Sequence, residues 1–216
     1  MLLIDGVDFS QPVFGAGGAA VINSALKNLH PNTILIGATS SSDHIIGQWQ
    51  EIVHFNKAFR FLPVIHMEEL IKPKVKSQNL QFALAVAKYI RKIKASDIRS
   101  VFTQTYTILW MLLLTPYSWD ICFYYPGLGN PMLIGRRPKI GRLLACFYDV
   151  IQGFCANYTT VCFAAASEPV VSEYNRFLKK IRTKTIVKPL PTGVDTDLFR
   201  PKSKSETQPK TWIFIP

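Results

Sequence analysis

The feature that most constrains this chain is a repeated alternation between short apolar runs and longer segments with helical periodicity. The apolar runs are typical of buried strands, which we expect over residues 2–7, 33–37, 51–55, 59–62, 100–104, 121–125, 160–164 and 185–190. We expect helices over residues 19–29, 81–93, 140–154 and 169–181, and a further helix of about three turns after residue 104. This alternation predicts an α/β fold with a doubly wound, mainly parallel sheet covered by helices on both faces.

The composition agrees with one large folded domain. The chain has 216 residues, of which 48% are hydrophobic and 18% are charged, so it can bury a substantial core. Its 25 basic and 14 acidic residues give a net charge of +11, which favours anionic partners such as phosphates or an anionic membrane surface. The sequence has no zinc-finger spacing, aromatic RNA-binding run or basic heptad, so the charge does not indicate nucleic acid.

Several features favour a cytoplasmic location, with peripheral attachment to the inner face of the membrane. The first residues lack the basic and apolar regions of a signal peptide. The cysteines have no paired spacing and stand among apolar residues, which predicts buried free thiols at Cys122, Cys146, Cys155 and Cys162. The apolar stretch 101–119 approaches membrane-spanning length, but its threonines and Pro116 favour a buried strand followed by a buried helix.

A glycine-rich loop follows the first predicted strand, at the end of the strand where ligands bind in parallel sheets. Gly15, Gly17 and Ala20 fit the spelling G-x-G-x-x-A and open a predicted helix, whose first amides can hold a phosphate. The spacer of residues 10–14 is longer than the tight turn of a dinucleotide site, and only Asp43 is near the acidic position after the second strand. A dinucleotide site and simple close packing of helix on sheet both stay open.

A second loop, over residues 124–131, contains two prolines and two glycines that fix an irregular backbone after a buried strand. A cationic cluster suited to a phosphate or pyrophosphate comes soon after it. From this region we expect acceptor or phosphate contacts from Tyr125, Pro126, Gly127, Asn130, Arg136, Arg137 and Lys139. A solvated basic turn is the alternative interpretation.

The remaining polar residues do not predict a metal site. The four histidines are scattered and no second cluster stands at ligand spacing, so we expect no metal. Ser167, Glu168 and Pro169 are explained as the start of a helix, with Ser167 as its N-cap. A nucleophile elbow, a P-loop and an H-E-x-x-H motif are absent from the sequence.

The most specific motif lies near the end of the sequence, where residues 190–201 read L-P-T-G-V-D-T-D-L-F-R-P. Its two prolines restrict the backbone, Gly193 can supply a positive φ at a bend, and Phe199 is an apolar anchor. A polar stretch and a short apolar run follow. The pattern divides the chain into a domain over 1–190, a junction and linker over 191–210, and the first strand of a further domain over 211–216.

This junction resembles the motif P-N-G-V-D-x-x-x-F-x-P between the two halves of GT-B glycosyltransferases, in particular the family-four retaining group. Gly193, Asp195 and Phe199 stand at its positions, while Thr192 replaces the usual Asn. The resemblance implies that the chain is the amino-terminal, acceptor-side Rossmann-like half, truncated at the interdomain junction. In such enzymes a Gly-Gly loop faces the cleft near the donor diphosphate, and Gly17 and Gly18 match that position.

The resemblance also implies a reaction. A sugar passes from a nucleotide-sugar to the hydroxyl of a lipid-linked polysaccharide acceptor with retained configuration, and neither a cofactor nor a metal is bound, because helix ends and basic side chains take the diphosphate charge. Most donor contacts of the family belong to the other half, so the isolated chain is expected to be inactive without a donor-binding domain. Many relatives have a His before the glycine of the second loop, but Pro126 stands there, so no catalytic residue is assigned.

Two other classes of protein stay open from the sequence. A fragment of a dinucleotide-binding oxidoreductase would use the first glycine loop and bind a nicotinamide cofactor tightly. A non-enzymatic adaptor at a membrane surface would use the basic face and bind anionic vesicles in a salt-dependent way.

Overall fold

A computed structural model describes residues 1–12, 18–75, 77–125, 138–158, 160–165, 167–180 and 185–190. The strands are β1 Leu2–Asp8, β2 Ile34–Thr39, β3 Gln50–His54, β4 Lys57–His66, β5 Ser100–Thr103, β6 Asp120–Tyr125, β7 Val161–Ala165 and β8 Lys188–Pro189. The helices are α1 Gly18–Asn28, α2 Met67–Ile71, α3 Gln78–Lys88, α4 Ile90–Lys94, α5 Tyr106–Leu113, α6 Pro138–Ala156 and α7 Glu168–Lys180.

All eight strands form one sheet in the order β3-β4-β2-β1-β5-β6-β7-β8. Every neighbouring pair is parallel except β3 with β4, which is an antiparallel hairpin. The chain leaves β1 in one direction along the sheet and later leaves β5 in the other direction. This confirms the predicted doubly wound, mainly parallel sheet, and it puts the switch in direction between β1 and β5.

Helices cover both faces of the sheet, as predicted, but unequally. Alternate strand residues point to opposite faces, so Ile121 and Phe123 of β6 join one hydrophobic cluster and Tyr124 joins another. The first cluster contains side chains of α2 to α7. Among the described residues, α1 is the one helix that contributes buried side chains to the second cluster, through Ile22 and Leu26. Right-handed crossovers explain this difference, because connections that run in opposite directions along the sheet cross opposite faces. The connection through α1 runs from β1 to β2, whereas those through α2 to α7 run in the other direction, from β4 to β5 and on to β8.

The hairpin between β3 and β4 closes through a two-residue turn. Phe55 and Asn56 have φ angles of 50° and 57°, as a type I′ turn requires. Such a turn matches the right-handed twist of the paired strands, although Phe is an unusual residue at this position.

Several elements differ from the sequence prediction, including α2, which was not predicted, and β4, which extends beyond the predicted 59–62. The helix predicted over 81–93 is interrupted at Tyr89, which separates α3 from α4 and has a φ of −105° and a ψ of 12°. The Tyr89 ring packs against Gly47, so closely that a Cβ added to Gly47 would lie 2.3 Å from Tyr89 Cε1. The break in the helix therefore coincides with a tertiary contact. The strand predicted over 185–190 pairs only at β8, and just before it Val187 donates its backbone N–H to Asn175 Oδ1 at 2.7 Å instead of to a strand.

The prediction that all cysteines are buried is wrong, although all four are free thiols. Cys155 is buried and Cys122 is half-buried, and burial raises the pKa of these thiols to about 12 and about 11. Cys146 and Cys162 are exposed. Cys162 lies on the face of β7 opposite Phe163, away from the larger hydrophobic cluster, so an apolar neighbourhood in sequence did not bury it.

No helix within the described ranges is long and apolar enough to cross a membrane. The apolar stretch after residue 100 instead forms β5 and α5, as the sequence predicted. In α5, Ile108, Leu109 and Leu112 are buried against the sheet.

Candidate functional site

The carboxyl ends of β1 and β5 meet at the switch point of the sheet, and polar side chains gather there. We call the group of Asp5, Gln104 and Gly18 the polar cluster. Asp5 belongs to β1, Gln104 follows β5 directly, and Gly18 begins α1. Ligands of doubly wound sheets bind at this position, so the polar cluster is the first candidate for a functional site.

Asp5 is a carboxyl group with almost no contact with water. The residue is 6% exposed, and its Oδ2 atom has no hydrogen-bond partner. Desolvation raises the pKa of Asp5 to about 7, although the Gln104 side chain and the backbone N–H groups of Val7, Gly6 and Gln104 lower it in part. The register of β1 against β2 shifts between Ile4 and Asp8, and this irregular stretch contains Gly6 and Val7.

Gln104 connects the two elements on either side of the switch point. Its Nε2 donates a hydrogen bond to the Gly18 carbonyl oxygen at 2.8 Å, while its Oε1 is buried without a partner. A Cβ on Gly18 would lie 3.1 Å from Gln104 Oε1, so a larger residue would push the amide away. Glycine at this position therefore allows the close approach of α1 to the end of β5.

The polar cluster has chemical properties that suit a reactive site. A buried carboxyl group with a pKa near neutrality can take up or release a proton at physiological pH, as a general acid or base must. Asp5 Oδ2 and Gln104 Oε1 are both buried acceptors without partners, and native structures leave few such atoms unsatisfied. A ligand hydroxyl group, or a proton on Asp5, is what this arrangement lacks.

A polar pocket of about 210 Å³ lies beside the cluster. Its walls come from Asp5 and Gly6 of β1, from Leu70 of α2, from Asn79 of α3 and from Thr105 before α5. Gly6 has no side chain to occupy the pocket, and a Cβ added to it would lie in contact with Leu70 Cδ2, at 3.6 Å. The pocket has room for a small polar group at the edge of the sheet where the polar cluster lies.

A second and larger cavity, the apolar groove, runs between α3, α5 and α6 and has a volume of about 630 Å³. Its lining is almost entirely hydrocarbon and aromatic, and includes Leu84, Ala87, Trp110, Leu114, Phe147 and Tyr148. Trp110, Tyr106 and Tyr148 pack their rings together with centroids 4.9 to 5.7 Å apart. The buried Nε1 of Trp110 has no hydrogen-bond partner.

The loops after β1 and β2 are held together by Asp8. Its Oδ1 accepts hydrogen bonds from the backbone N–H of Ser10 at 2.9 Å and of Ser40 at 3.3 Å. The Ser10 hydroxyl also donates to Oδ1 at 2.6 Å. Asp8 therefore fixes the entrance to the glycine-rich loop and has a structural explanation without a ligand.

Of the site residues predicted from the sequence, the structure brings Gly18 into the polar cluster. Tyr125 ends β6 and Lys139 lies in α6, both with side chains outside the described part of the chain. The other predicted positions also lie outside the described residues, namely Gly17, Pro126, Gly127, Asn130, Arg136, Arg137, Gly193, Asp195 and Phe199. Sequence reasoning missed Asp5 and Gln104, although an acidic residue inside the apolar run L-L-I-D-G-V was a usable signal for Asp5.

Two of the described histidines, His44 and His54, have ordinary structural partners. His44 Nδ1 lies 2.9 Å from Thr39 Oγ1, and His54 Nε2 lies 2.8 Å from the Phe9 carbonyl oxygen. Within the described ranges, no three His, Cys, Asp or Glu side chains are grouped closely enough to hold a metal ion.

Comparison with known proteins finds similarity in structure and none in sequence. No protein-family model matches the sequence, and no curated protein does so. The structure is similar to sucrose-phosphate synthase from Thermosynechococcus elongatus, with a TM-score of 0.61 and 13% identity over 93% of this chain and 50% of that chain. A trehalose-6-phosphate synthase matches with a TM-score of 0.55 and 13% identity over 91% of this chain and 50% of that chain.

A further match is a structure from E. coli bound with UDP-2-fluoro glucose, with a TM-score of 0.53 and 12% identity over 91% of this chain and 49% of that chain. The chain thus spans about half the length of the structures it matches. Identities this low carry information about the fold alone. The chain therefore has the α/β fold of one half of a GT-B glycosyltransferase, as the sequence predicted.

Proposed function

We propose that this chain is the acceptor-binding half of a glycosyltransferase. The observation that carries the proposal is the match of 93% of the chain to 50% of a sucrose-phosphate synthase, through a sheet whose switch point bears a polar cluster and a pocket. In this proposal the polar pocket takes the accepting sugar. Asp5 and Gln104 supply the unsatisfied hydrogen-bonding atoms beside it.

The donor in this proposal is a nucleotide-sugar, and a second domain binds it. The structural relative from E. coli is bound with a UDP-sugar analogue, which supports this class of donor. The junction motif with Gly193, Asp195 and Phe199 supports a connection to such a domain, supplied in the same or a separate chain. We propose that transfer retains the anomeric configuration and that the 216-residue chain is inactive when tested alone.

The acceptor in this proposal is a lipid-linked sugar at an anionic membrane surface. The net charge of +11 supports attraction to pyrophosphate groups and to acidic lipids. Arg136, Arg137 and Lys139 remain the proposed cationic contacts, with Tyr125, Pro126, Gly127 and Asn130 beside the sugar. Gly17 and Gly18 remain the proposed backbone contacts near the donor diphosphate.

An NMR titration of the isolated chain tests the proposal. We expect octyl glycosides to shift the amide signals of Asp5, Gln104 and Gly18, because their sugar enters the polar pocket. Nucleotide-sugars should cause little change and no turnover, since the donor contacts belong to another domain. Sugar transfer by the isolated chain would contradict the division of labour, and tight NADH binding would favour an oxidoreductase fragment instead.

A further inference from the structure

We infer that the apolar groove between α3, α5 and α6 binds the hydrocarbon chain of the acceptor. This inference rests on the proposed function, which it deepens by giving the lipid part of the acceptor a place. The groove shares no lining residue with the polar cluster. Its volume of about 630 Å³ is in the range typical of small-molecule sites.

The lining of the groove determines the chemistry of its ligand. Leu84 is 54% exposed, Phe147 is 61% exposed and Leu114 is 86% exposed, so large apolar side chains from α3, from α6 and from the end of α5 face the same open space. Isolated exposed leucines are common, but a concave apolar surface rimmed by helices marks a binding site. The hydroxyl groups of Ser77, Thr107 and Thr115 are among the few polar groups in the lining, so a saturated or isoprenoid chain fits better than a polar ligand.

The position of the groove next to the polar pocket indicates that the bound hydrocarbon is the tail of an amphiphilic molecule. Gln78, Asn79 and Thr105 line the polar pocket, whereas their neighbours Ser77, Tyr106 and Thr107 line the groove. The Thr107 hydroxyl donates to the Asn79 carbonyl oxygen at 2.7 Å and so joins the two helix starts at this border. The two cavities therefore adjoin at the starts of α3 and α5, and we place the polar head of one molecule in the pocket and its apolar tail in the groove.

Cationic residues stand near the border between the two cavities. Lys72 and Lys74 are exposed on the segment that leads into α3. Gln81 holds this segment in place, since its Oε1 accepts from the Lys74 backbone N–H at 2.6 Å and its Nε2 donates to the Glu69 carbonyl oxygen at 2.8 Å. The segment follows Ile71 of the polar pocket and precedes Ser77 of the groove, so its positive charge would attract a phosphate that links sugar and lipid.

The experiment measures binding of hexyl, octyl and decyl phosphate to the full chain by calorimetry, below their micelle concentrations and with inorganic phosphate as the headgroup control. Burial of the chain predicts about fourfold tighter binding for each added methylene, and so about fifteenfold between octyl and decyl phosphate. Binding should also change the fluorescence of Trp110, and Trp110→Phe should remove that change while heat is still released. Affinities that do not depend on chain length would overturn the inference.

A matched pair of variants separates the groove from other apolar surfaces. Leu84→Lys places a charge in the groove, whereas Leu143→Lys makes the same change on α6 at a residue that is 73% exposed and does not line the groove. We expect Leu84→Lys to weaken decyl phosphate binding at least tenfold and Leu143→Lys to leave it within twofold. Ala87→Phe fills the groove without adding charge, and should weaken binding in the same way as Leu84→Lys.

The alternative occupants give different results. Adsorption to a bilayer would use the exposed apolar side chains of α6, namely Leu143, Phe147, Val150 and Phe154, so Leu143→Lys would weaken binding to uncharged vesicles more than Leu84→Lys on α3. Pairing with a second copy would produce a dimer in sedimentation that Leu84→Lys dissociates and decyl phosphate does not. Either result overturns the inference. If octyl glycosides bind at Asp5 but alkyl phosphate affinity does not depend on chain length, the groove is rejected and the proposed function stands. If alkyl phosphates bind with the expected chain-length dependence but no sugar binds at Asp5, the proposed sugar site is rejected and the groove stands.

Discussion

The polar cluster and the apolar groove differ in which chemical groups they expose to water. The cluster buries a carboxyl group and an amide that have unpaired atoms, while the groove exposes leucine and phenylalanine side chains to solvent. Each arrangement costs free energy in the absence of a ligand, because a buried polar atom without a hydrogen bond has lost its hydration, and apolar surface in contact with water is unfavourable. Buried polar groups and contiguous exposed apolar surface are the two observations that most often indicate function.

The two regions also differ in how they are built. The cluster joins residues far apart in sequence at the switch point, since Gly18 and Gln104 are 86 positions apart. The groove is formed by helix faces that the sheet does not use, such as the face of α3 that carries Leu84 instead of Phe82. Substitutions in the cluster should therefore alter pH dependence and folding stability, whereas those in the groove should mainly alter binding.

The largest expected effect is on the pH dependence of stability after Asp5→Asn. Asp5 has a pKa of about 7 in the folded chain against an ordinary value of 3.8, so folding favours its protonated form. Native stability therefore falls as pH rises from 3.8 through 7, by up to roughly 4 kcal/mol for this pKa difference. Asn cannot ionise, so the variant should match the wild type near pH 4 and be more stable above pH 7.

Urea unfolding of both proteins across this pH range measures the difference. Leu84→Lys is the control from the groove, and its effect on stability should change little over the same range. A constant difference between Asp5→Asn and wild type at all pH values would show that folding leaves the pKa of Asp5 unchanged, and would remove the basis for assigning it a proton-transfer role.

An intermediate effect is expected from Gly18→Ala, because the new Cβ would stand 3.1 to 3.3 Å from the Gln104 amide. The amide must move and its hydrogen bond to the Gly18 carbonyl oxygen weakens, which costs about 1 kcal/mol of unfolding free energy. In a Gln104→Ala background the same change should be neutral or stabilising, since Ala favours the helix over Gly and no amide is displaced.

The double-mutant cycle measured by urea unfolding gives the coupling energy of this pair, and residues in contact typically couple by about 0.5 to 3 kcal/mol. Additive effects of the two substitutions would mean that Gln104 does not hold the start of α1.

Periodic sequence patterns predicted the framework of this fold. The helix predicted over 169–181 is α7 at Glu168–Lys180, and the strand predicted over 33–37 is β2 at Ile34–Thr39. Both segments have a strong pattern that local propensity and burial support together. The break at Tyr89 was not predictable from the pattern, because the partner of Tyr89 is Gly47, on a distant turn.

The candidate site was less predictable for the same physical reason. Gly18 was found through the glycine-rich loop, but Gln104 acquires its role only when β5 lies beside β1. The groove was not predicted, because Phe82 and Val86 explain the helical period of α3 and pack on the sheet. Leu80 and Leu84 form a second apolar stripe on the same helix. The apolar residues of α3 therefore cover more of the helix than one buried face needs, and this excess could have predicted the groove.

The smallest expected effect on stability is that of Leu114→Ser at the groove. Leu114 is 86% exposed, so its substitution should change the free energy of unfolding by no more than about 0.5 kcal/mol. Its loss should nevertheless lower the fluorescence enhancement of the apolar dye ANS, because Leu114 lines the apolar groove. Val53→Ser is the matched control, since Val53 is 66% exposed on β3 and lies outside the groove. Equal dye binding by both variants would mean that exposed hydrocarbon in general attracts the dye, and the contrast between a groove and scattered surface residues would lose its support.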